Sequence, residues 1–251
     1  MGTAKATFEK AIARSEYLLR LANGLADHRK RRARGEWKSK FRSLMHWSQT
    51  HSIERVDSKD VVLVTRDGGT LARADFGVEA LGDLLRASLV MAVSAMDAYF
   101  HAKILRYVVP HSRRAEPSER LLNERIQVRD FIAARRKKRP NAALRAAVER
   151  NLSYQSLQRT ERIADALQLI GIAKFWEDVA TRLKRTKEDL CDELCGIVRR
   201  RNQIAHEGDL SQGKKTRNRD RSISTQFVQR SMALLKAVVE EAETVINAKV
   251  R

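Results

Sequence analysis

Within the stretch Thr186 to Gly208, TKEDLCDELCGIVRRRNQIAHEG, three residues have types suited to chemistry: Arg201, Asn202 and His206. An imidazole takes up and releases protons near neutral pH. A guanidinium is permanently charged and presents a planar fork of donors that matches a phosphate or carboxylate. A side-chain amide can orient an imidazole or donate to a phosphate oxygen. Together they allow acid-base work beside a centre on which negative charge develops.

These residues must be positioned by a helix. Thr186 followed by Asp189 is a capping-box start, and Gly208 is a C-terminal stop. Leu190, Leu194, Ile197, Val198, Ile204 and Ala205 recur at helical spacing, so one face packs inward. Arg201 falls inside that stripe, which requires a buried ion pair, a stem that packs while the head reaches water, or a cavity to face. Asn202 and His206, one turn apart, share a neighbouring polar face, and His206 also suits a helix C-terminus by its dipole alone. Arg201 and His206 point roughly 140° apart on a regular helix. They meet only if the helix loosens near Gly208, if long side chains converge across a groove, or if two protomers combine their motifs.

The segment RNQIAH, within IVRRRNQIAHEGDL and downstream of RIADALQLIGIAKFWEDV, resembles the R-x-x-x-x-H signature of the HEPN superfamily, in its RiboL-PSP-HEPN-like branch. The resemblance covers roughly residues 79 to 250 and takes in the Gly-Ile-x-x-Phe-Trp stretch at Gly171 to Trp176. It implies an all-α, dimeric, metal-independent endoribonuclease that needs no cofactor. The RNA 2′-OH would be the nucleophile and a cyclic phosphate the product. Arg201, Asn202 and His206 would be catalytic, facing one composite cleft of a homodimer. It also implies a toxin or antiviral defence effector that degrades cellular RNA, with an antitoxin or a defence-complex subunit as protein partner. The alternative is a non-catalytic HEPN-like RNA- or protein-binding subunit of such a complex. Arg199, on the face of Asn202 and His206, is an auxiliary phosphate contact in this reading. Arg200 is expected in solvent, and Glu207 either trims the imidazole or is an ordinary surface carboxylate.

Composition agrees with helix: three prolines and eleven glycines in 251 residues, with abundant Ala, Leu, Arg and Glu. Fifty Lys and Arg against thirty-one Asp and Glu leave a net charge of +19, which suits a polyanion, nucleic acid before an anionic membrane, or simply a basic soluble protein. The N-terminus has no signal-peptide core, and Ala6 stands where a myristoylation motif requires Ser or Thr. The most apolar run, Ala87 to Phe100, is too short to span a bilayer and contains Asp97. A cytoplasmic protein without membrane attachment is therefore expected. Cys191 and Cys195, one turn apart, read as small helix residues rather than a disulfide or a zinc half-site.

Taken in order, residues 4 to 26 predict an amphipathic helix, and HRKRRAR at His28 to Arg34 a basic helix end or loop. Trp37, Phe41, Leu44, Met45 and Trp47 predict an aromatic amphipathic stretch, which anchors on the core or stacks bases. Val61 to Thr65 and Thr70 to Phe76, joined through Gly68-Gly69, predict one small β-hairpin at about 60–76. Val78 to Val109 predicts the central core helix, stopped by Pro110. Asp97 within it needs a cation or strong donors: either Arg201 and His206, making Asp97 an auxiliary site residue, or Lys103 and solvent. His101, one turn on, is a second imidazole for the site or a hydrogen-bonded helix histidine.

A basic insertion covers about 111–142, helical near Ser118 to Ala134 and ending in Arg135, Arg136, Lys137, Lys138 and Arg139, an exposed run suited to RNA backbone. Helices follow at 142–153 and Ser156 to Leu169, and from Phe175 to Leu183. After the motif helix, the basic loop QGKKTRNRDR supplies Lys214, Lys215 and Arg217 as further RNA contacts, and a helix from Thr225 to about Ala248 closes the bundle. The expected organisation is an accessory region, 1–77, and a HEPN-like helical domain, 78–251. There is no Gly-rich phosphate loop, nucleophile elbow or H-E-x-x-H. Asp178, Glu188, Asp189, Asp192 and Glu193 fit helix-start positions better than a metal cluster.

Overall fold

The computed structural model describes residues 3–26, 29–30, 34–50, 52–57, 62–66, 78–136, 140–209 and 221–250. Among them the chain is mostly α-helical with one small sheet, in the order α1 (Ala4–Ala26), β1 (Arg29–Lys30), α2 (Gly35–Leu44), β2 (Ile53–Asp57), β3 (Val62–Arg66), α3 (Val78–Ser112), α4 (Glu119–Leu122), α5 (Val128–Arg136), α6 (Pro140–Ser153), α7 (Thr160–Gln168), α8 (Phe175–Arg182), α9 (Lys187–Glu207) and α10 (Thr225–Lys249). No helix is long and apolar enough to cross a membrane, among the described residues.

The core is built around α3, on which Leu89, Ala92, Val93, Met96, Phe100, Ile104 and Val108 are fully buried. Burial of a helix on nearly all sides follows from its near-continuous apolar sequence. On one side α1 lays Phe8, Ile12 and Leu19 into the same core. Its register is held by a reciprocal pair: Ser15 Oγ donates to the Ser88 carbonyl, and Ser88 Oγ donates to the Ser15 carbonyl at 2.9 Å. The expected division at residue 77 thus runs between helices that share one core. Beside α1, α10 contributes Val228, Leu235, Val238, Val239, Ala242 and Ile246 to the same core. Its Glu243 takes an ion pair from Lys103 at 2.7 Å and a hydrogen bond from Tyr99 Oη at 2.9 Å. Lys103 is therefore engaged away from Asp97.

A run of edge-to-face rings, Tyr99 on Phe100, Phe100 on Phe175 and Phe175 on Trp176, joins α3 to α8. Trp176 Nε1 donates to the Thr160 carbonyl at 2.7 Å, which fixes the start of α7. At the corner between α7 and α8, Gly171 has φ +75° and lies against the His111 ring, where a Cβ has no room.

Two expectations are corrected. The helix at Val78 runs through Pro110 to Ser112. The proline stands in the last turn, where Ser112 Oγ donates to the Val109 carbonyl at 2.8 Å and the N–H groups of Arg113 and Arg114 close tighter turns on the Pro110 and His111 carbonyls. The stretch Ser118 to Ala134 is two helices, α4 and α5, rather than one. β3 is a strand where one was expected, and it pairs with the preceding β2, Ile53 opposite Arg66 through Asp57 opposite Val62, while β1 pairs the far edge of β2; neither β1 nor β2 was expected. The Gly68-Gly69 turn and the expected strand to Phe76 lie outside the described residues, as do Lys137, Lys138, Arg139, Lys214, Lys215 and Arg217. Trp37 of α2 stacks on Phe41 and lies under the Arg55 guanidinium of β2, so these aromatics pack on the sheet.

Candidate active site

The motif helix has the limits that its sequence predicts. Thr186 Oγ1 accepts from the Asp189 N–H at 3.1 Å, and Gly208 ends α9 in the left-handed conformation, φ 61°. Leu190, Leu194, Ile197 and Val198 are buried on the inward face. Past Val198 the helix emerges from the core, so Arg201 and Asn202 are half-buried and His206 is exposed.

Arg201, Asn202 and His206 line one open pocket of about 400 Å³ within a single chain. The helix stays regular through Glu207, so Arg201 and His206 reach this pocket without any loosening of α9. The opposite wall is the α6–α7 connection and the first turn of α7: Tyr154, Gln155, Ser156, Gln158, Arg159 and Arg162. No Asp or Glu lines the pocket. Arg201 Nη1 donates to Asn202 Oδ1 at 3.1 Å, and its Nε is buried with no hydrogen-bond partner among the described residues. A buried guanidinium N–H without an acceptor is costly.

Asp97 departs from expectation. It meets neither Arg201 nor His206, but holds the far wall: its Oδ1 accepts from the Leu157 N–H at 2.6 Å and its Oδ2 from Gln158 Nε2 at 3.4 Å. His101 stands beside it, Nδ1 3.4 Å from Oδ1, with Nε2 3.2 Å from the Leu152 carbonyl. Burial alone would raise the Asp97 carboxyl, but His101 and the donors of Leu157 and Gln158 outweigh it, and it titrates below the ordinary carboxylate value. The bond to Asp97 lifts His101 to about 9, against a smaller effect of burial. His101 is thus a hydrogen-bonded helix histidine that braces the wall through Asp97.

Arg200, expected in solvent, is the most tightly held cation at this end of α9. It makes a two-pronged pair with Asp209, Nη1 to Oδ1 and Nη2 to Oδ2 at 2.9 Å, and bonds the Arg221 and Ser222 carbonyls. Asp209 is buried and also takes Arg86 Nε of α3 at 2.6 Å. Arg199 is exposed and lies outside the pocket lining, so the auxiliary role expected for it has no support in the geometry. Glu207 pairs with Arg221 at 3.2 Å, away from the imidazole. Arg135 and Arg136 end α5 and are exposed.

The sequence reading missed Tyr154, Arg159 and Arg162. The signal was present in part: Arg159 and Arg162 are three apart at a helix start, and so share a face. Nothing in the sequence showed that this face opposes His206. Cys191 and Cys195 are free and half-buried, and among the described residues no three of His, Cys, Asp and Glu gather as metal ligands. The chain matches no family model, and comparisons with curated proteins and with solved structures return no match. The HEPN resemblance therefore rests on the residues of α7 to α9 alone.

Proposed function

We propose that the protein is a metal-independent endoribonuclease of HEPN type. The observation that carries the reading is the meeting of Arg201, Asn202 and His206 in one open, carboxylate-free pocket in which a buried guanidinium N–H lacks an acceptor. In this reading the 2′-OH of RNA attacks the adjacent phosphorus and the bond to the 5′-oxygen breaks. The products are a 2′,3′-cyclic phosphate and a 5′-OH. His206 moves the proton, Arg201 neutralises charge building on the non-bridging oxygens, and Asn202 orients either partner. Each pocket offers one imidazole, whereas full acid-base catalysis uses both a donor and an acceptor of protons. A homodimer that joins two pockets supplies both. A cytoplasmic toxin or antiviral effector, held by an antitoxin or a defence-complex subunit, is the cellular role that the resemblance favours.

The test incubates wild type and His206→Ala with a labelled structured RNA in EDTA and maps the product ends. Cleavage by wild type alone, leaving cyclic-phosphate or 3′-phosphate ends, supports the reading. Equal cleavage by both proteins removes His206 from the chemistry. A second reading, an RNA-binding module without cleavage, is favoured by Arg159 and Arg162, which would hold a polyanion whether or not it is cut. RNA binding with no cleavage by either protein would establish it.

A further inference from the structure

The wall opposite His206 carries features that proton transfer does not require. Tyr154, 86 % exposed, stands at the pocket rim immediately after α6. A tyrosine so exposed gains little from packing on its own protein, while its ring offers a flat apolar face to a ligand. On the same wall Arg159 and Arg162 are exposed, and their guanidiniums have no ion pair or hydrogen bond among the described residues. Most carboxylates nearby are committed elsewhere: Asp97 to Leu157 and His101, Asp165 to Arg120, and Asp130 to Arg150. With Arg201 across the gap, three unneutralised guanidiniums and one aromatic face surround a pocket of about 400 Å³.

We propose that this wall is a nucleotide subsite for unpaired RNA, in which Tyr154 stacks on a base flanking the phosphate held by Arg159, Arg162 and Arg201. The proposal rests on the RNA reading of the pocket and narrows it. A base can lie on Tyr154 only when its faces are free, so single strands, loops and bulges fit and a continuous duplex does not. Stacking tolerates every base, so the subsite selects strandedness rather than sequence. Gln155, half-buried on the same wall, is the group placed to touch a base edge, since Gln158 is buried and bonded to Asp97.

The test measures binding of the full chain to a fluorescent single-stranded RNA and to the same sequence as a duplex, in EDTA, across a salt series, alongside the cleavage assay. Wild type is expected to prefer the single strand. Tyr154→Ala should weaken single-strand binding roughly tenfold and Tyr154→Phe should retain it, since stacking needs the ring and not the hydroxyl. Duplex binding should not change. Arg159→Ala should weaken binding and lower the dependence of log affinity on log salt by about 1. Tyr154→Ala binding as tightly as wild type, or a duplex bound as tightly as the single strand, overturns the subsite even if RNA is cut at His206. Tyr154-dependent binding with no cleavage upholds the subsite and removes the nuclease instead.

Discussion

Arg200 and Arg201 are adjacent on α9, and their surroundings are opposite. The Arg200 side chain, 13 % exposed, ends on Asp209 and two carbonyls, with Arg86 completing a clasp of two guanidiniums on one buried carboxylate. Arg201 ends in a pocket with two more arginines and no carboxylate, one of its N–H groups unanswered. The same residue type is structural on one side of the helix and available on the other. What separates them is the supply of acceptors: Arg200 has a carboxylate and two carbonyls, Arg201 one amide oxygen.

The largest effect should come from removing the acceptor of the clasp. Asp209→Ala leaves Arg86 and Arg200 without their shared carboxylate and should cost about 3–5 kcal/mol in urea unfolding. A loss below about 1 kcal/mol would show that the clasp does not hold this end of α9. Next come the neighbours themselves. Arg200→Ala breaks hydrogen bonds to a charged group and should cost about 1.5–3 kcal/mol. Arg201→Ala should change stability by no more than about 0.5 kcal/mol while abolishing RNA cleavage. Equal stability losses in the two variants would erase the contrast.

A third test concerns the wall that Asp97 braces. His101, at about 9 in the fold against 6.5 ordinarily, contributes stability in full below 6.5, and that contribution is lost as pH rises through about 9. Asp97, held below its ordinary 3.8, contributes above that value and loses its contribution as pH falls through the lowered one. Thermal unfolding should therefore be flat in pH between these ordinary values as far as this pair is concerned, and weaken on both flanks. His101→Gln should flatten the alkaline flank; a slope that survives the substitution belongs to other groups. The smallest effect is expected from Glu207→Gln, which loosens the partly exposed pair with Arg221 between the two regions. Its cost should stay below about 0.5 kcal/mol, read from the same unfolding curves.

The sequence made α9 legible because everything that bounds it is local: Thr186 caps it, Gly208 stops it and its apolar face repeats at helical spacing. Arg200 was not, because its partners are residues 209, 221 and 222 beyond the helix, and periodicity carries no information about charges met across the fold. Asp97 was recognised as needing donors, but the ones it found include a backbone N–H sixty positions away. The pairing of β3 with β2 was missed for a related reason: IERVD lacks the strict alternation that announces a strand. Of the pocket, the α9 half was readable from spacing, and the half built by Tyr154, Arg159 and Arg162 depended on how α7 docks.

The contact between the first helix and the last has a consequence for synthesis. Lys5 of α1 pairs with Glu240 of α10 at a separation of 235 positions, and Lys236 reaches back to Glu16. At roughly 5–20 residues per second on the ribosome, α1 and α3 stand with one flank uncovered for on the order of ten seconds or more. Until α10 emerges, the apolar face of α3 has only α1 and its nearer neighbours as cover. The core helix α3, against which α9 packs, therefore gains its last cover only when α10 has been made, and a nascent chain stalled before that point carries the motif on an incomplete bundle.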